Sequence, residues 1–80
     1  MLEKLKTANK VVGMRRLLRA LEAGEISEVY LAGDVDLFII REVKAACGKA
    51  GARLIEVDSR KQLGQACGIE VPAACAGIRK

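Results

Sequence analysis

Apolar and polar positions change their spacing several times along the 80-residue chain, and each change marks an element. In residues 2–10, LEKLKTANK, the residues Leu2, Leu5 and Ala8 share one side of a short helix. Val11 and Val12 form a brief β-prone pair. From Gly13 to about residue 23, Met14, Leu17, Leu18 and Leu21 fall at i, i+3, i+4 and i+7, the stripe of an amphipathic helix, with Gly24 placed to cap its end. Residues 28–33, EVYLAG, read as a buried strand. The next stretch predicts a helix with Asp34 as N-cap and Gly48 or Gly51 near its end. Residues 52–58 are a second strand. Ser59 caps a further helix that turns Leu63 and Cys67 or Ala66 inward. Residues 69–78 are a loop running into a last strand around Ala74–Ile78.

Helices and strands therefore alternate, which predicts the α/β class: a three-layer α/β/α sandwich with parallel, right-handed β-α-β steps. A strand at Val11–Val12 would lie at the sheet's edge and make the sheet mixed. The length suits one domain spanning residues 1–80. With one tyrosine (Tyr30) and one phenylalanine (Phe38), the core has to be built from Leu, Ile, Val and Ala, with cysteine as a small apolar filler. No apolar run approaches the length of a membrane span, the first residues lack the apolar core of a secretory signal, and no linker or repeat is visible. The expected setting is the cytoplasm, with no membrane partner.

Charge sharpens this picture. Residues 1–19 hold six basic side chains against Glu3 alone, whereas residues 20–80 hold eight basic and nine acidic ones. The whole positive excess sits in the first quarter of the chain, the footprint of a polyanion partner. Arg15, Arg16 and Arg19 crowd the start of a helix whose N-terminus is already positive, where acidic residues would be stabilising. An anion supplied from outside resolves the conflict: Gly13 admits a ligand close to the backbone, free N–H groups face it, and the arginines surround it. Arginine also matches the O6 and N7 acceptors of guanine.

Candidates for catalysis are few. The chain has no histidine, no nucleophile elbow and no phosphate-binding glycine loop. Cys47, Cys67 and Cys75 form no C-x-x-C pair, so neither a zinc site nor any other metal or cofactor is expected, and buried reduced thiols are. Asp34 and Asp36 read as a helix cap and a first-turn acid.

Three blocks of sequence, GMRRLLRALEAGE (13–25), VYLAGDVD (29–36) and VDSRKQLGQACGIEVPAA (57–74), resemble the ribosomal protein L7Ae family of kink-turn RNA binders, in particular its short bacterial-type members. The resemblance runs from about Lys6 to Ile78 and implies a three-layer sandwich with a mixed four-stranded sheet. It also implies a site. Gly13 and Arg19 occupy the glycine and lysine positions of the family motif Gly-x-Asn-Glu-x-x-Lys, and Arg15 and Arg16 stand in place of Asn-Glu, which in the family read sheared G·A pairs beside the kink. Asp36 takes the acidic position that faces a flipped-out base, Ile40 the apolar position beneath it, and Arg60 a basic phosphate-contacting position. Ile69, Glu70, Val71 and Pro72 correspond to the apolar loop that covers the unpaired bulge. Val12 replaces a basic residue of many members, for which Lys10 offers a substitute charge, and Leu37 replaces a proline.

The function implied is non-enzymatic: binding and stabilising kink-turns in structured RNA, ribosomal or riboswitch, by a protein that is monomeric when free. Two other classes compete with it. One is an interaction module docking an acidic protein partner through the basic N-terminal face. The other is a small α/β enzyme using Cys67 or Cys75, for which no substrate suggests itself.

Overall fold

A computed structural model describes residues 4–7 and 9–80. Leu2 and Ala8, expected on the first helix, lie outside the described residues. In chain order the elements are α1 (Lys4–Thr7), β1 (Lys10–Val12), α2 (Met14–Glu22), β2 (Ile26–Ala32), α3 (Leu37–Ala50), β3 (Arg53–Val57), α4 (Arg60–Cys67) and β4 (Cys75–Arg79). The strands form one mixed sheet in the order β1-β4-β2-β3. A helical layer covers each face, so the three-layer α/β/α architecture holds. On one face α2 and α3 bury Leu17, Leu21, Val43 and Cys47 against Val29 and Leu31. On the other, α1 and α4 bury Leu5, Leu63 and Cys67 against Tyr30 and Ala76. Strand β2 supplies both cores because its successive side chains point to opposite faces. Its apolar run is the signature of a central strand.

Two expectations need correction. Only the β2–α3–β3 step is parallel; β4 runs antiparallel to β2 and to β1. The cause lies after α4. Gly68 adopts a left-handed conformation (φ 78°), Ile69 N–H returns to Gly64 O, and the chain then runs back along α4 until Ala73 N–H reaches Arg60 O at 3.0 Å. It re-enters the sheet at the end where β3 left it, which makes β4 antiparallel. Gly64 is the place where this returning loop crosses the helix: a Cβ there would lie 2.2 Å from Val71 O.

The second correction concerns the cap of α3. It is Asp36, whose Oδ1 accepts Ile39 N–H at 3.0 Å, and the helix begins at Leu37. Starting there aims Ile39, Ile40, Val43 and Cys47 into the first core. Asp34 serves elsewhere, accepting Arg60 N–H at 2.8 Å and so tying the β2–α3 turn to the start of α4. The stripe on α2 is also rotated slightly: Leu17, Ala20 and Leu21 are buried, while Met14 and Leu18 are half-buried.

Candidate nucleic-acid interface

β1, β2 and β3 all finish at one end of the sheet, β4 begins there, and α2, α3 and α4 all start there. Backbone bonds fasten this end: Gly13 N–H to Cys75 O (3.1 Å), Ala32 N–H to Ala74 O (2.9 Å) and Gly33 N–H to Val57 O (2.7 Å). Three helix N-termini consequently direct unpaired N–H groups, and the positive ends of their dipoles, toward one region. Two of the three are closed by their own side chains, α3 by Asp36 and α4 by Ser59. The third is not. Gly13 caps α2 without a side chain, and the first turn carries no acid. Of these three helix ends, α2 alone keeps its first N–H groups without a side-chain acceptor.

Gly13 has φ 104° and ψ 149°, a backbone that only glycine adopts without strain, and a Cβ built there would meet nothing within 4 Å. The space off this helix end is open. Arg15, Arg16 and Arg19 are all exposed, and among the described residues no carboxylate pairs with any of them. They divide between two sides of α2. Arg16 and Arg19 line an open groove of about 740 Å³ between α2 and β1, and Arg15 lies outside it.

The other expected residues gather near the same end. Asp36 is exposed, with one carboxylate oxygen engaged as the cap and the other directed to no described partner. Ile40 follows one helical turn later, its N–H on Asp36 O, so an acid and an apolar side chain share one helix face. Ile40 itself is half-buried against the first core. Arg60 caps no void: its guanidinium lies 3.5 Å from Asp34, with both side chains about half exposed. The loop 69–72 is divided. Ile69 packs on the second core, whereas Glu70, Val71 and Pro72 are exposed, Val71 at 62%. The expectation of an apolar loop offered whole to solvent is thereby narrowed to Val71 and Pro72.

Sequence reading missed two residues of this region. Leu37 and Phe38, on the first turn of α3 beside Asp36, are each 66% exposed. Periodicity could have found them, since Ile39, Ile40 and Val43 already fill the inward stripe and leave Leu37 and Phe38 outside it. Gly64 was legible only as part of a motif, because its reason lies in Val71, seven residues later.

The thiols are shut away from this surface. Cys47, Cys67 and Cys75 are free and buried, and burial raises the pKa of each, that of Cys75 to about 11, although Lys10 partly offsets the effect at Cys67. A thiol held protonated at neutral pH is a poor nucleophile. Among the described residues no group of three His, Cys, Asp or Glu is arranged to hold a metal ion, and no helix is long and apolar enough to cross a membrane.

Comparison with known proteins agrees with the fold. The chain is 47% identical over 77 residues to the RNA-binding protein YbxF of Geobacillus stearothermophilus, an overlap covering 95% of this chain and 94% of that protein. Among solved structures it superposes on the 15.5kD RNA-binding protein of Giardia lamblia with a TM-score of 0.88 and 28% identity, over 99% of this chain and 70% of that one. A protein of unknown function from Bacillus halodurans shares the fold, with a TM-score of 0.89 at 22% identity, over 99% of this chain and 83% of that one. The sequence profile of the ribosomal protein L7Ae/L30e/S12e/Gadd45 family matches residues 1–80. With its fold and its whole length in agreement, the chain belongs to that family.

Proposed function

We propose that this chain is an RNA-binding protein that recognises kink-turns in structured RNA, ribosomal or riboswitch, and holds them in the bent state. One observation carries the reading: the N-terminus of α2 is capped by a bare glycine, faces open space, and is flanked by arginines that no carboxylate among the described residues neutralises. Cations placed on a positive dipole destabilise the free protein, and a phosphodiester backbone removes the conflict. A bend matters because an intact A-form helix hides its base edges in a deep, narrow groove, which a helix end enters only where the duplex is opened. Asp36 with Ile40, and Val71 with Pro72, then offer an acidic and two apolar surfaces to unstacked bases. Binding one conformer shifts the RNA toward it by the difference in affinity. The relative from Geobacillus stearothermophilus is named an RNA-binding protein, which supports the partner class.

The test is a titration of the protein onto an RNA with a bulge beside tandem G·A pairs and onto the fully paired duplex of the same stems. Strong preference for the bent RNA is expected, with Arg16→Ala weakening binding by about 1–3 kcal/mol if it reads a base edge. Equal affinity for the two RNAs would defeat the proposal, and binding to an acidic protein instead would favour a docking module.

A further inference from the structure

Three large apolar side chains are exposed among the described residues: Leu37, Phe38 and Val71. Val71 belongs to the loop assigned to unstacked bases, whereas Leu37 and Phe38 have no such place. Neither packs on either core. Helix α3 fills its inward stripe with Ile39, Ile40, Val43 and Cys47, so folding has no use for an apolar pair outside it. Phe38 also differs from its neighbour in kind. Tyr30 is buried in the second core, and Phe38 is the one aromatic ring at the surface.

Helical spacing locates the ring. Phe38 shares a face of α3 with Glu42 and Ala45, four and seven residues on. Arg15 shares a face of α2 with Leu18 and Glu22, three and seven residues on. Leu18, Glu22, Glu42 and Ala45 line an open groove of about 590 Å³ between the two helices. Phe38 and Arg15 thus stand at the mouth of that groove, at the end of the sheet where both helices start. Asp36 and Ile40, each two residues from Phe38, lie on the other side of α3.

We infer that Phe38 is a stacking platform for one unpaired nucleobase of the bound RNA, a base distinct from any that Asp36 and Ile40 receive. The inference rests on the RNA-binding reading and adds a second base contact to it. The surroundings select a base over other occupants. An exposed aromatic ring stacks on any nucleobase, because each has a π-face. Glu42, one turn further along the groove and without a basic partner among the described residues, repels phosphate, so the backbone cannot follow the groove inward. Glu22 repeats that obstacle deeper in. Leu37 and Phe38, each 66% exposed, together offer roughly 250 Å², well short of the ~800 Å² that each partner gives to a specific protein interface. A base turned out of a bend needs no more than one ring.

The experiment titrates Phe38→Ala, Phe38→Leu and Phe38→Tyr onto the RNA with a bulge beside tandem G·A pairs, and onto copies in which each unpaired nucleotide in turn is abasic. Circular dichroism should show all three variants folded like the wild type, since the ring is exposed. On the intact RNA, Phe38→Ala should lose about five- to a hundredfold in affinity. Phe38→Leu should lose nearly as much, because it keeps apolar bulk without the ring, and Phe38→Tyr should bind as the wild type does. The slope of log affinity against log salt should be the same for all, because no phosphate contact is removed. One abasic position should make the wild type and Phe38→Ala bind alike, and it identifies the stacked base; the other positions should leave their difference in place. If the wild type prefers the bent RNA but Phe38→Ala or Phe38→Leu binds equally well, the platform is overturned while the site at Gly13 stands. It is overturned too if no abasic position removes the difference. Should the wild type show no preference for the bent RNA, the reading of the site fails first and the platform with it.

Discussion

Gly64 offers a sharp test of how the loop 69–72 is placed. It sits within α4 with an ordinary helical backbone, so by propensity alone Gly64→Ala should stabilise by about 1 kcal/mol. The structure argues the opposite sign. The new Cβ would lie 2.2 Å from Val71 O and 3.2 Å from Pro72 Cα, both backbone atoms, against an ordinary contact that begins near 3.4 Å. The loop would have to retreat by roughly 1 Å, and overpacking of this kind costs about 1–3 kcal/mol. It cannot retreat freely, because Ile69 N–H is bonded to Gly64 O and Ala73 N–H to Arg60 O. Losing either bond adds about 1 kcal/mol. The net expectation is a loss of about 1–2 kcal/mol, together with weaker RNA binding because Val71 and Pro72 are displaced. Gly48, on the exposed side of α3 with nothing within 4 Å of its Cβ position, is the control: Gly48→Ala should stabilise by about 0.5–1 kcal/mol. Urea unfolding followed by circular dichroism, with RNA titration beside it, reads both. If Gly64→Ala proves as stable as Gly48→Ala and binds RNA normally, the loop does not cross the helix as described.

Three further outcomes are expected. Gly13→Ala should lose about 1–2 kcal/mol of stability from its left-handed φ without any clash, and any additional loss of RNA affinity at conditions where it is fully folded measures how closely the ligand approaches; unaltered affinity would contradict close approach. Asp36→Ala should cost about 0.5–2 kcal/mol through the lost cap, whereas Asp36→Asn should restore most of it while keeping any base contact that needs a carboxylate broken, so that thermal melts and RNA titrations of the pair separate capping from recognition. Burial raises the Cys75 pKa from 9 to about 11, so the unfolded chain loses this proton first as the solution becomes alkaline; stability contributed by the neutral buried thiol is present below pH 9 and falls between 9 and 11, and Cys75→Ala should flatten that fall in a series of urea melts.

Much of the fold was legible because the local signals agreed with one another. The apolar run of β2 and the Ser59 cap each stand on nearest neighbours, and the stripe of α2 differs from its spacing only by turning Ala20 inward ahead of Met14 and Leu18. Strand β2 nevertheless starts at Ile26, before the run becomes apolar, because Ser27 is accommodated as a bulge between Ile26 and Glu28 and bonds to Ile78 O. The choice between Asp34 and Asp36 as the cap was not legible, since both carboxylates suit the position and the deciding contact, Arg60 N–H, lies 26 residues away. The direction of β4 was hidden for a similar reason. Gly68 announced a helix end, but only the contacts of residues 69–73 with α4 show that the chain doubles back. At the site, the exposed arginines and Gly13 stand where the charge pattern put them, whereas Ile69 turned inward because the second core needed an apolar side chain at the foot of α4.

The strand formed last in chain order, β4, lies between β1 and β2 and holds both in place. During synthesis, therefore, every emerging fragment that stops short of residue 75 has β1 without a neighbour and Gly13 without its anchor on Cys75 O. The nascent polypeptide cannot close its sheet, or shape its cationic end, until β4 has emerged. A growing chain carries the arginines from the outset but acquires the surface that organises them only when β4 takes its place at the centre of the sheet.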